Sequence, residues 1–115
     1  MQDENTLREA VARMLRKAGF TVIETGDGAV AIGLLAAAGS KIDAVVLDVT
    51  IPGASSRAVA AAAVQARQDI KLVLTSAHGE ETVRAAGFGA QAYDFIRKPF
   101  AIATLIETLR NVLRP

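Results

Sequence analysis

Helix-like and strand-like segments alternate along this 115-residue chain, and the alternation predicts an α/β fold, a parallel sheet covered by helices on both faces. Two further observations agree with it. The strand-like segments are short apolar runs, Ala44-Val45-Val46-Leu47 and Leu72-Val73-Leu74, of the kind buried on both sides. Each of these runs, and the Phe95-Ile96 run near the end, closes on polar residues: Asp48, Thr75 with Ser76, and Lys98. In open parallel sheets, ligands and chemistry collect at those carboxyl ends.

In chain order, Leu7, Val11, Met14 and Leu15 recur at helical spacing, so residues 4–18 read as a helix that Gly19 stops. Thr21-Val22-Ile23 reads as a short strand and Gly26-Asp27-Gly28 as a turn. Val30, Ile32, Leu34 and Leu35 belong to a second helix ending near Gly39. A strand follows over residues 42–47, closed by Pro52-Gly53, and an Ala-rich helix over residues 55–67. Leu72-Val73-Leu74 is the next strand, with residues 75–79 as a loop and residues 80–86 as a short helix. Residues 93–96 form the last strand, broken by Lys98-Pro99. Ile102, Leu105, Ile106, Leu109, Val112 and Leu113 mark the final helix. The alternation opens on a helix, with nothing ahead of it that could be a strand, whereas a doubly wound sheet normally opens on a strand at its centre.

Composition removes several function classes. The length suits one domain, residues 1–115, with one core. Hydrophobic residues make up 51% and aromatics 4%, so the core is expected to be Ala, Val, Leu and Ile. No run approaches the ~20 residues of a membrane span, and the acidic, polar start is not a signal peptide. A cytoplasmic location without membrane contact is expected. The absence of cysteine excludes disulfides and thiol catalysis, and a single His argues against structural zinc. A net charge of +1 gives no support to direct nucleic-acid binding.

The strand ends bring a carboxylate, hydroxyls and an amine to one edge. Asp3 and Glu4, just before the first helix, join that edge if a strand precedes them. Carboxylates hold Mg²⁺, a hard cation that takes oxygen ligands. Metal and Lys together neutralise a transferring phosphoryl group, and a carboxylate can itself be the nucleophile, giving an acyl phosphate. Each residue also has a plainer use. Asp48 could cap a turn, Asp3 and Glu4 could complement a helix dipole, and Lys98, Ser76 and His78 could be ordinary surface or loop residues. Phe95 could be ordinary core.

The ordered set of segments resembles the receiver (response-regulator) domain of two-component signalling over nearly the whole chain. It comprises Asp3-Glu4-Asn5-Thr6-Leu7-Arg8, Val45-Val46-Leu47-Asp48-Val49-Thr50-Ile51-Pro52-Gly53, Leu74-Thr75-Ser76-Ala77 and Tyr93-Asp94-Phe95-Ile96-Arg97-Lys98-Pro99-Phe100. The style of Leu74-Thr75-Ser76-Ala77 is similar to receivers of hybrid sensor histidine kinases. The resemblance implies a flavodoxin-like doubly wound sheet of strand order 2-1-3-4-5. It implies Asp48 as phosphoacceptor, taking phosphate from a phosphohistidine on a histidine kinase or histidine phosphotransfer protein. Mg²⁺ would be held by Asp3, Asp48 and the Thr50 backbone carbonyl, with Glu4 as a further candidate. Lys98 and Ser76 would bind the phosphoryl group, Ser76 and Phe95 would switch, and Thr50 and His78 would set the hydrolysis rate. No enzyme activity beyond its own phosphorylation and dephosphorylation is implied. A downstream protein or output domain would read the switched surface, formed by residues 80–86, the Phe95 strand and the last helix, and a homodimer is compatible with it.

Two departures from the family pattern stand out. Gln2 occupies the first of a usual acidic pair, which predicts weaker Mg²⁺ binding with Asp3 still present. The first strand is missing from these 115 residues, which should leave a gap and take from Val22 and Val46 their neighbour, unless residues of the natural protein ahead of Met1 or another segment supply it. Gln2 keeps a second reading in play, a receiver-like interaction or dimerisation module that no longer switches. A third reading, an Asp-nucleophile phosphatase, fits poorly. That chemistry wants an acid two residues after the nucleophile, where this chain has Thr50.

Overall fold

The computed structural model describes residues 4–49, 56–77, 79–85 and 93–114, and within these the side chains of all but Glu4, Asn5, Ser40, Thr82 and Ala85. Asp3, Thr50 and His78 therefore lie outside the described residues. In order, the elements are α1 (Glu4–Lys17), α2 (Gly28–Ala38), a single 3₁₀ turn (Gly39–Lys41), β1 (Ala44–Asp48), α3 (Ser56–Ala66), β2 (Lys71–Ser76), α4 (Glu80–Ala85), β3 (Asp94–Arg97) and α5 (Ile102–Val112).

The three strands form one parallel sheet in the order β1-β2-β3. β2 is central, and every residue from Leu72 to Ser76 is buried. Its side chains alternate between two cores, as a strand's period of two requires. Leu72 and Leu74 join Leu35, Leu47, Val59, Ala60, Ala63 and Val83 beneath α2, α3 and α4. Val73 joins Leu15, Ile96, Leu105 and Leu109 beneath α1 and α5. Helices thus cover both faces, which is why the strands read as continuous apolar runs.

Local chemistry places the helices. At the end of α1, Gly19 adopts φ 105°, a left-handed conformation that suits glycine. The Phe20 N–H donates to the Leu15 carbonyl and the Gly19 N–H to that of Arg16, closing a Schellman motif. Asp27 caps α2, its carboxylate accepting from the N–H groups of Ala29 at 2.8 Å and Val30 at 3.2 Å. Arg67 clamps the entry to β1. It donates to the Ile42 carbonyl at 3.2 Å and pairs with Asp43 at 2.5 Å and with Asp69 at 2.8 Å.

Two expectations change. Thr75 and Ser76, read as loop, continue β2, because β3 supplies ladder partners as far as Ser76↔Arg97. Thr21-Val22-Ile23 forms no strand. Among the described residues no strand lies beside it, and strand propensity without a ladder partner does not make a strand. Among the described residues no strand pairs with the outer edge of β1, and Val46 on it is 38% exposed.

Two glycines should respond oppositely to substitution. A Cβ at Gly39 would collide with the Cβ of Ala66, whereas one at Gly33 meets nothing. Gly39→Ala is expected to destabilise by about 1–3 kcal/mol, as overpacking does. Gly33→Ala, inside α2, should stabilise by about 0.5–1 kcal/mol. Urea denaturation of the two variants measures both signs.

The Arg67 clamp predicts a pH effect. Hydrogen bonding to Arg67 holds the Asp69 carboxyl below its ordinary value, with the Arg67 charge adding to it. The clamp's contribution is therefore complete above the ordinary carboxylate range and is lost as pH falls through the lowered folded value. Asp69→Asn should flatten the acid limb of a stability–pH curve, and added salt should shrink the difference, since the pair is exposed.

Candidate functional site

The carboxyl ends of the three strands meet at one rim of the sheet. Asp48 is the last residue of β1, and its register partner is Thr75 of β2, which in turn faces Ile96 of β3. Ser76 ends β2 and is wholly buried. Lys98 lies just past β3, where its backbone N–H donates to the Ser76 carbonyl at 2.8 Å. The chain then turns through a cis Lys98–Pro99 bond.

That backbone anchor aims the Lys98 amine across β2. Its Nζ forms an ion pair and hydrogen bond with Asp48 Oδ2. The side chains are 22% and 19% exposed, so the pair is screened less than a fully solvated one yet remains reachable from solvent. Residues fifty positions apart are thus joined at the rim that the strand-end polar residues predicted.

A further residue, not singled out in the sequence, fixes the other side of Asp48. Ser56, the first residue of α3 and buried, donates its hydroxyl to the Asp48 carbonyl at 3.1 Å. The Val49 N–H donates to the Thr75 carbonyl at 3.1 Å, so the backbone is held on both sides of Asp48. The available signal was a Ser at the start of a helix after a Pro-Gly turn, which reads as an N-cap and nothing more.

Phe95 stands opposite Leu74 in the ladder and packs, half-buried, on the α2–α3–α4 core. Two residues earlier on the same face, the Tyr93 hydroxyl donates to Glu80 Oε2 at 3.3 Å, and Arg84 pairs with the same carboxylate at 3.3 Å. Tyr93 and then Glu80 hold the Arg84 guanidinium above its ordinary value. Of the residues expected at the site, Asp48, Ser76 and Phe95 therefore lie on the three strands and Lys98 just past the third. Asp3, Thr50, His78 and the Glu4 side chain lie outside the description.

Comparison with known proteins decides the family. The model for the response regulator receiver domain matches residues 1–110. The chain belongs to this receiver family of two-component systems. Over 114 residues it is 32% identical to the sensory transduction protein RegX3 of Mycolicibacterium smegmatis and to the response regulator MprA of Mycobacterium sp.. Each match covers 99% of the chain and 49% of the relative, so the receiver spans about half the length of these curated relatives. Among solved structures, a response regulator receiver protein from Sinorhizobium medicae is 30% identical with a TM-score of 0.83, covering 97% of this chain and 89% of that one. The receiver domain of the hybrid histidine kinase CckA is 26% identical with a TM-score of 0.80, covering 98% and 94%. The α/β, flavodoxin-like fold expected from the sequence is thereby established for this receiver. No helix among the described residues is long and apolar enough to cross a membrane.

Ser56→Ala tests the newly found support. Losing this buried hydroxyl leaves the Asp48 carbonyl short of a donor and should cost about 1–2 kcal/mol. Ser56→Thr, which keeps the hydroxyl, should recover part of that loss in the same urea titration.

Proposed function

We propose that this receiver is a phosphoacceptor switch in which Asp48 accepts a phosphoryl group from a phosphohistidine on a histidine kinase or histidine phosphotransfer protein. The supporting observation is the Asp48–Lys98 ion pair at the sheet rim, beside buried Ser76. A carboxylate oxygen of Asp48 attacks phosphorus as the P–N bond breaks. The imidazole nitrogen leaves with the bonding pair and takes up a proton, and the product is an aspartyl phosphate.

Lys98 has two tasks in this scheme. Before transfer it neutralises the nucleophile and fixes its orientation. Afterwards its ammonium, anchored through the bond to the Ser76 carbonyl, pairs with a phosphoryl oxygen. The Ser76 hydroxyl turns toward another phosphoryl oxygen. Phe95, on the next strand, moves with it, and the surface formed by α4, β3 and α5 changes its affinity for a downstream protein or output domain. The Tyr93–Glu80–Arg84 contacts join β3 to α4 within that surface. Thr50 and His78 set the lifetime of the acyl phosphate.

Mg²⁺ is the cofactor in this reading. The candidate donors are all oxygen: the reachable Asp48 carboxylate, Asp3 and the Thr50 carbonyl, with Glu4 as an additional ligand, and such a set suits a hard cation. An ion held there would supply positive charge to offset that of the transferring group. Gln2 favours the second reading, an interaction module that does not switch, because it removes one carboxylate from the usual pair.

Incubation with acetyl phosphate and Mg²⁺ is expected to raise the intact mass by one phosphoryl group. Asp48→Asn and chelation of the metal should each abolish the gain. Unchanged mass with every donor, together with no Mg²⁺-dependent binding of beryllofluoride, would favour the non-switching module. Label retained by Asp48→Asn would move the acceptor elsewhere.

A further inference from the structure

The rim holds a second hydroxyl that the phosphoacceptor reading leaves unused, that of Thr75. Side chains alternate between the two faces of a strand, and register partners share a face. Leu72 and Leu74 belong to the core beneath α2, α3 and α4, which puts Ser76 on that side of the sheet. Val73 and Ile96 belong to the core beneath α1 and α5, which puts Thr75 on the other. The same alternation holds on β1. Val45, Leu47 and Val49 pack on the first core and Ala44 on the second, so Asp48 shares the face of Thr75. The two are register partners, and paired strands lie about 4.8 Å apart. On β2, the same-face neighbour of the Asp48 side chain is therefore Thr75, not Ser76.

Thr75 is held firmly in that position. Its carbonyl accepts the Val49 N–H at 3.1 Å, and the carbonyl of the next residue, Ser76, accepts the Lys98 N–H at 2.8 Å. The residue is 3% exposed. On its face it follows Val73 along β2 and sits between Asp48 and Ile96 across the ladder, so it is a polar group set against an apolar layer. A buried layer of this kind gains nothing from a hydroxyl that the methyl of a valine would not supply. The neighbour that gives the hydroxyl a use is the Asp48 carboxylate.

In the resting chain Lys98 reaches across β2 and holds Asp48 Oδ2. In the phosphoacceptor reading, on which this inference rests, that ammonium turns to a phosphoryl oxygen during transfer. One carboxylate oxygen of Asp48 then bonds phosphorus, and the other becomes an acyl oxygen that has lost its charged neighbour. We propose that the Thr75 hydroxyl is the replacement donor, hydrogen-bonding the Asp48 oxygen that does not carry the phosphoryl group. Thr75 keeps its proton, and the bonds made and broken remain the O–P and P–N bonds of the transfer. The task differs from that of Ser76, which turns toward the phosphoryl group from the opposite face. A contact made only as transfer proceeds raises the rate without tightening the resting fold. The fixed backbone of Thr75 means that little reorganisation is needed when the donor is called on.

Two variants test this role, each followed by the rate of mass gain with acetyl phosphate and Mg²⁺ and by urea denaturation. Thr75→Val removes the hydroxyl and keeps the branched shape; Thr75→Ser keeps the hydroxyl. Thr75→Val is expected to slow aspartyl phosphate formation about tenfold, the worth of one hydrogen bond. Its urea midpoint should equal or exceed that of the parent chain, because the resting fold loses no bond. Thr75→Ser should form the phosphate at close to the parent rate. A Thr75→Val chain that is phosphorylated as fast as the parent overturns the proposal and leaves the phosphoacceptor reading intact. Slower phosphorylation together with a lowered urea midpoint gives the hydroxyl a structural bond instead and also overturns it, as does a Thr75→Ser chain as slow as Thr75→Val. A parent chain that takes no phosphoryl group from acetyl phosphate or from a phosphohistidine donor overturns the phosphoacceptor reading, and the role of Thr75 with it.

Discussion

The site depends on the register of three parallel strands, and that register depends on the burial of β2 between two helical layers. With Leu72 and Leu74 committed to one core and Val73 to the other, a slip of one residue would exchange the cores and expose apolar side chains on both faces. The locked register sets Asp48 beside Thr75 and carries β3 far enough that Lys98 can donate its N–H to Ser76. The Asp48–Lys98 pair is thus a consequence of core packing, not a cause of it. A partly buried ion pair contributes little net stability on its own, because desolvation opposes its Coulomb attraction. Its cost is tolerable where a rigid scaffold has already placed both partners.

Reading polar residues at the ends of apolar runs was enough to find this rim. Asp48, Ser76 and Lys98 were legible because buried parallel strands have continuous apolar sequence, so the first polar residue after each run marks its tip. Ser56 was not legible. Its bond is to a backbone carbonyl, which no side-chain motif encodes, and a Ser at a helix start already has an ordinary explanation. The extension of β2 through Ser76 was missed for a related reason. Thr75 and Ser76 look like loop residues, and only the length of β3 beside them makes them strand.

The failure at Thr21-Val22-Ile23 is instructive in the other direction. Its β-branched residues carry real strand propensity, but propensity measures fit to a pleated, paired surface, and among the described residues no strand lies beside them. Val46, an aliphatic residue in the middle of an apolar run, is likewise exposed on an edge that no described strand covers. Local sequence can state that a segment suits a sheet. Whether it enters one is decided by a neighbour that can lie far away in the chain or outside it.

The two ends of β1's outer edge therefore carry different chemistry. At its carboxyl end, Ser56 caps the Asp48 carbonyl and Lys98 holds the carboxylate, so the backbone and side chain of Asp48 are fixed without help from a further strand. Along Ala44 and Val46 nothing comparable is present among the described residues. In the proposed reading the carboxylate must be oriented and metal ligands assembled. Asp3, the further metal ligand of that reading, lies outside the described residues. The described fold bears on the first requirement: orientation of Asp48 comes from β2, β3 and α3.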